Sequence, residues 1–269
     1  MSSSRNKPGD EVVKVGGPAY LEAYAENDTS LDGLKQYRIL PRITIVQGSS
    51  AAPLKDEYGE GGVILRPENS VVAEKGKPFL IVPLFFWAEW CVWSDINDKA
   101  SPCILERTFD AQSEIAQRAN NPKRRFEDYD GSADPNKPWQ KRWIEHLTFA
   151  CVVYGDHPLR GTSAVLSYEK GEHGKGCGFI SAIANRKVGA KDAPLWSQVW
   201  ELKSARRERG GWNWMGFDHF APENPFILED EVETFQKLHT ELKEKFAARE
   251  LGAHREHDTS ERPEDSGDF

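Results

Sequence analysis

Residues 195–217 read LWSQVWELKSARRERGGWNWMGF. Alternation puts Trp196, Gln198, Trp200 and Leu202 on one face of a strand, and Leu195, Ser197, Val199 and Glu201 on the other. Lys203, Arg206, Arg207 and Arg209 follow, then Gly210-Gly211 and Trp212-Asn213-Trp214. The stretch reads as a β-hairpin with a basic, flexible tip and tryptophans at its base. Residues 37–48 (YRILPRITIVQG) are β-branched and end in Gly48. Further strands are expected at 62–65, 70–73, 78–87, 103–107, 147–154, 164–168, 195–202 and 212–217. Residues 49–62 and 120–138, punctuated by Gly and Pro, read as loops.

Helices are fewer. Asp110 is placed to cap a short one ending at Ala119, and 175–185 forms a second. The clearest spans 229–251, with Val232, Phe235, Leu238, Leu242 and Phe246 at helical spacing and Gly252 as the stop. Glu229, Asp230 and Glu231 supply the negative charge that suits a helix N-terminus. No β-α-β alternation appears, so a doubly wound parallel sheet is excluded in favour of a mainly β antiparallel barrel, closed or partly open, of five strands or slightly more.

The 269 residues carry a formal charge of −8, and no apolar run approaches the ~20 residues that span a bilayer. The start, MSSSRNKPGDE, lacks an apolar signal segment, so the expectation is a cytoplasmic protein without membrane contact. Cys91, Cys103, Cys151 and Cys177 match no CxxC spacing and read as reduced core residues, with no metal and no cofactor. The net charge hides a segregation. Residues 1–74 hold 8 basic and 11 acidic side chains (−3), 75–220 hold 21 and 18 (+3), and 221–269 hold 6 and 14 (−8). All nine tryptophans lie in the positive section, which keeps a polyanionic partner open.

Enzymatic signatures are lacking. The chain has no GxxxxGK[ST], GxGxxG, GxSxG or HExxH. His146, His157, His173 and His219 stand without a partner motif, and the spacing of Glu89, Asp95 and Glu106 to a lysine suits a metal nuclease poorly. The protein is therefore expected not to be an enzyme. A metal-dependent nuclease, and a structural or host-interaction protein whose tryptophans form protein interfaces, stay open as alternatives.

The aromatic and basic residues carry more. Trp87, Trp90 and Trp93 cannot all point inward from a strand of period two, so at least one is expected at a surface. Lys170, Lys175, Arg186, Lys187 and Lys191 form a second basic run beside the hairpin. Cations that track phosphates beside rings that stack on unpaired bases are what a sequence-tolerant single-strand binder needs. The expected contacts are Trp87, Trp90, Trp93, Lys170, Lys175, Arg186, Lys187, Trp196, Trp200, Lys203, Arg206, Arg207, Arg209, Trp212 and Trp214.

After Gly252 the chain reads AHREHDTSERPEDSGDF. Residues 258–269 hold five acids and one base, and a segment this polar has no apolar area to bury. With the β-rich core, YRILPRITIVQG and WSQVWELKSARRERGGWNWMGF, the closing Asp265-Ser266-Gly267-Asp268-Phe269 resembles the tailed-phage single-stranded DNA-binding proteins. Those are OB-fold proteins with an acidic, aromatic-ended tail. Arg262 and Pro263 depart from that tail pattern. The expected organisation is a flexible arm at 1–36, a β-rich core at 37–228 that the resemblance makes OB-like and nucleic-acid-binding, with an insertion near 120–145, a C-terminal helix at 229–252 and a disordered acidic tail at 253–269. The resemblance further implies a role in phage replication or recombination in the host cytoplasm. Asp265, Asp268 and Phe269 would recruit a polymerase, helicase or nuclease, and a homo-oligomer through an edge strand stays open.

Overall fold

Residues 78–93, PFLIVPLFFWAEWCVW, are apolar at almost every position, and such a run makes a strand buried on both faces. The computed structural model describes residues 40–94, 104–129 and 139–247. There the run forms one long strand, β4 (Pro78–Trp93), paired along its length with β7 (Trp139–Tyr154). The other strands are β1 (Arg42–Ile45), β2 (Val63–Arg66), β3 (Ser70–Ala73), β5 (Ile104–Thr108), β6 (Phe126–Tyr129), β8 (Ser163–Tyr168), β11 (Trp200–Arg209) and β12 (Trp212–Phe220). A small separate ladder joins β9 (Lys187–Val188) to β10 (Lys191–Asp192).

The main sheet runs β12-β11-β4-β7-β8-β1-β2-β3, with β5 on β4 and β6 on β7. Its pairs are antiparallel except β1 with β8, which meet in parallel at Arg42 and Val165, so the sheet is mixed. The chain is mainly β, as expected, but among the described residues the sheet does not close into a barrel. Side chains take the place of the missing ladder on β12. Gln47 donates from Nε2 to the Met215 carbonyl and accepts from the Met215 amide, at 2.9 and 2.8 Å. Glu172 accepts from the Phe217 amide and Arg207 donates to the Phe217 carbonyl. An edge whose backbone groups are met this way needs no further strand. The sheet still rolls, because one core joins Ile43, Val63 and Val72 at one end to Leu202, Met215 and Phe217 at the other.

A bulge between Pro83 and Phe85 lets β4 serve two cores. Before it, Phe79 and Ile81 face the rolled interior, while Leu80, Val82 and Leu84 face outward. After it the parity flips, and Phe86 and Ala88 face inward while Phe85 and Trp87 face outward. The extra residue of a bulge causes such a flip, and it is a position where a proline costs no ladder bond. The outward set is covered by the C-terminal helix Val232–Ala247, whose Phe235 and Leu242 are buried and whose Phe246 ring lies 5.1 Å from Phe85 and 5.6 Å from Trp87.

Three smaller helices complete the described chain, so α1 is Ala52–Tyr58, α2 is Glu114–Ala119, α3 is His173–Ala184 and the C-terminal helix is α4. Helix α1 replaces part of the loop expected at 49–62; Pro53 sits in its first turn, where no amide donor is required. Strand β6 likewise interrupts the loop expected at 120–138. The cap of α2 is Ser113, which accepts from the Ala116 amide; Asp110 instead accepts from Gln112 and shapes the preceding turn. The arm at 1–36 and the tail at 253–269 lie outside the described residues.

Candidate nucleic-acid interface

The expected hairpin forms, with modified bounds. Residues 195–197 are a 3-10 turn after Pro194, and the strand starts at Trp200. Arg209 pairs with Trp212 across Gly210 and Gly211, whose φ values of 57° and 83° are those of a tight two-residue turn. Alternation puts Lys203, Ala205, Arg207 and Arg209 on one face with Trp212, Trp214, Gly216 and Asp218. Arg206 and Met215 occupy the other.

The base of the hairpin is locked. The Glu172 carboxylate accepts from Trp214 Nε1 at 2.8 Å, the Phe217 amide at 3.1 Å and Arg207 Nε at 3.3 Å. Arg207 also bonds Asp218 at 2.9 Å, and Lys175 reaches the same Asp218 oxygen at 3.1 Å. Burial alone would raise the Asp218 carboxyl, but the bonds from Arg207 and Lys175 hold it below its ordinary value. Glycine at 216 makes room for this anchor, since a Cβ there would lie 2.1 Å from the Glu172 carboxylate and would have to push it off its donors.

The tip stays open. Trp212 is 79% exposed beside exposed Arg209; Arg206 is exposed on the other face and Lys203 further down the strand, opposite Asp218, with Glu208 as the one acid in that stretch. Lys75 and Lys77, exposed on the turn before β4, extend the basic track; Lys203 lies opposite Pro78, and Lys75 packs on Gly61 beside Met215. Neither lysine stood out in the sequence, where no aromatic neighbour marks them.

The other expected contacts are placed elsewhere. Trp87, Trp90, Trp93 and Trp200 are all buried, which corrects the expectation that one of the first three is exposed. Both faces of the sheet are covered, so either parity leads into a core. Trp196 is half-buried against the outward core. Arg186 stacks on Trp200 at 3.7 Å and donates to the carbonyls of Val199 and Pro225, and burial lowers its pKa. Lys187 pairs with Asp192, and Lys170 sits 4.5 Å above the Trp93 ring. Trp93 belongs to a buried polar file: its Nε1 donates to His146 Nε2 at 3.0 Å, and His146 Nδ1 lies 2.9 Å from Glu169. Arg42 approaches Glu169 at 3.4 Å from the neighbouring strand.

Cys91 and Cys151 are core residues as expected, but Cys177 is exposed, because Gly176 and Phe179 take the buried face of α3. Cys103 and the carboxylates Asp265 and Asp268, with Phe269, lie outside the described residues. Among the described residues no three His, Cys, Asp or Glu side chains are grouped to hold a metal ion. Nor is any described helix long and apolar enough to cross a membrane.

The family model described as Pam3 phage gp34-like protein matches residues 15–245. The chain belongs to this phage protein family. No curated protein and no solved structure matches it. The span matched to the Pam3 phage gp34-like family contains the whole β11–β12 hairpin with its anchor Glu172, and stops before the acidic segment at 253–269.

Proposed function

We propose that this phage-family protein binds single-stranded DNA with little sequence preference, through the tip of the β11–β12 hairpin. The observation that carries the reading is Trp212, 79% exposed on a tight turn and paired with Arg209. An indole held in water at the end of a rigid ladder is available to stack, and each stacked base contributes ~1–3 kcal/mol. Lys203, Arg206 and Arg209 are the phosphate contacts, helped by Lys75 and Lys77. Compared with the wider set expected from sequence, the interface is a narrow finger rather than a tryptophan-lined channel. In this role the protein acts as a binder in replication or recombination, and DNA binding itself needs no catalysis and no cofactor. Its acidic segment at 253–269 competes with DNA for the basic tip and recruits a replication protein through Phe269.

Titration with a dT oligomer tests this. Tryptophan emission should quench, and the three hairpin contacts at ~0.7 each give a log–log salt slope of about −2, steepening towards about −3.5 if Lys75 and Lys77 also neutralise phosphates. Unchanged emission at saturating oligomer refutes the reading and leaves the finger as a protein contact.

A further inference from the structure

Helix α3 carries a chain of groups that nucleic-acid binding does not use. His173 Nε2 lies 2.7 Å from the Glu145 carboxylate on β7. Its other ring nitrogen, Nδ1, faces the Cys177 sulfur at 3.7 Å, one turn along the helix. A carboxylate only accepts, so in the neutral imidazole the tautomer that bonds Glu145 carries its proton on Nε2 and turns the Nδ1 lone pair to the thiol. A thiol, an imidazole and an orienting carboxylate in this order are the parts of an activated sulfur nucleophile.

The surroundings suit the role. Glu145 is fixed on β7 opposite buried Trp90, so the carboxylate end of the chain stands on a rigid strand. Cys177 itself is exposed. Its helix neighbours Gly174 and Gly178 have no side chains. A Cβ at 174 would meet nothing within 4 Å, and one at 178 only His219 at 3.9 Å, so approach to the sulfur is open. By contrast, burial pushes the Cys91 and Cys151 thiols up to about 12, which makes them inert internal controls.

We propose that Cys177 is a thiol–disulfide exchange site for small disulfides, with His173 as proton acceptor and Glu145 as its positioning residue. The Cys177 proton passes to His173 Nδ1, and the sulfur attacks one sulfur of a disulfide RSSR. A Cys177–SR bond forms as the S–S bond of the reagent breaks. The leaving RS⁻ takes the proton back from His173 and departs as RSH. Cys177 is oxidised to the mixed disulfide and half of the reagent is reduced, so protons and electrons balance. No oxyanion donor is required, unlike acyl transfer.

The test uses the full-length chain carrying Cys103→Ser, with 5,5′-dithiobis(2-nitrobenzoate) as the disulfide. One fast equivalent of thiolate should be released, and Cys177→Ser should abolish it. An unassisted thiol is only a few per cent thiolate at pH 7, and nucleophilicity falls as ionisation becomes easier. His173→Gln should therefore slow the reaction about tenfold at pH 7, with the two rates converging at alkaline pH, where a thiol no longer needs a base to take its proton. Glu145→Gln should lose less than His173→Gln, with the same convergence, and reports independently should the histidine variant fail to fold. A rate at pH 7 unchanged by both substitutions overturns the proposal. So does a slowing that stays constant across pH, since that marks a merely structural effect, or a wild-type protein with no fast equivalent.

Discussion

Replacing Glu172 with alanine should loosen the hairpin more than any substitution at its tip. The carboxylate receives three donors: Trp214 Nε1, the Phe217 amide and Arg207 Nε. Alanine leaves the first two without a partner at a half-buried edge, while Arg207 keeps Asp218 and the Phe217 carbonyl. Hydrogen bonds to a charged group contribute ~1.5–3 kcal/mol each; at the low end of that range, two lost bonds cost about 3 kcal/mol. For a chain of this size, a loss of that order lowers Tm by about 6–12 °C. Urea unfolding followed by far-UV circular dichroism measures it, with a lower midpoint and an unchanged m-value expected. Amide exchange should accelerate first at Phe217. An unfolding free energy within ~0.5 kcal/mol of wild type, the scatter of ordinary surface substitutions, refutes the anchoring role.

Three further outcomes follow from the same geometry. Gly216→Ala should destabilise by about 1–3 kcal/mol through its collision with the Glu172 carboxylate, and a double-mutant cycle should show that cost shrinking in the Glu172→Ala background. Gln47→Ala removes both side-chain bonds to Met215 and should cost about 1–3 kcal/mol, seen in urea unfolding and in faster exchange of the Met215 amide. Burial alone would raise the Glu169 carboxyl, but His146, Arg42 and Lys170 outweigh it and hold it well below the usual range. A depressed folded-state value contributes stability that is complete above the unfolded value of ~4.3 and is lost as pH falls through the folded one. Unfolding free energy measured from about pH 5 to 3 should therefore fall less steeply in Glu169→Gln than in wild type.

Local pattern made some parts of this fold legible. Strand 70–73 has its expected bounds, the Gly210-Gly211 hairpin forms, and α4 buries Phe235 and Leu242 as its spacing implies. What escaped was whatever depends on the second partner. Alternation describes one strand; it does not reveal that α4 covers the outer face, so Trp87 and Trp90 are buried on opposite parities. The Pro83 bulge likewise reverses parity with no change in composition. Cations that look alike in a basic run separate by contacts distant in sequence: Lys175 and Arg207 meet Asp218, whereas Arg206 and Arg209 meet solvent. Barrel closure was undecidable for the same reason, because Gln47 stands 168 residues from the edge it satisfies.

One paired measurement decides whether the hairpin tip is the single-stranded DNA contact proposed for it. Affinity for a dT oligomer, taken across a salt series, is compared between wild type, Arg209→Ala and Trp212→Ala. Loss of a phosphate contact should reduce the salt slope by about 0.7, whereas loss of the ring should weaken binding by ~1–3 kcal/mol at a nearly unchanged slope. Identical affinity and slope in all three proteins would contradict the account.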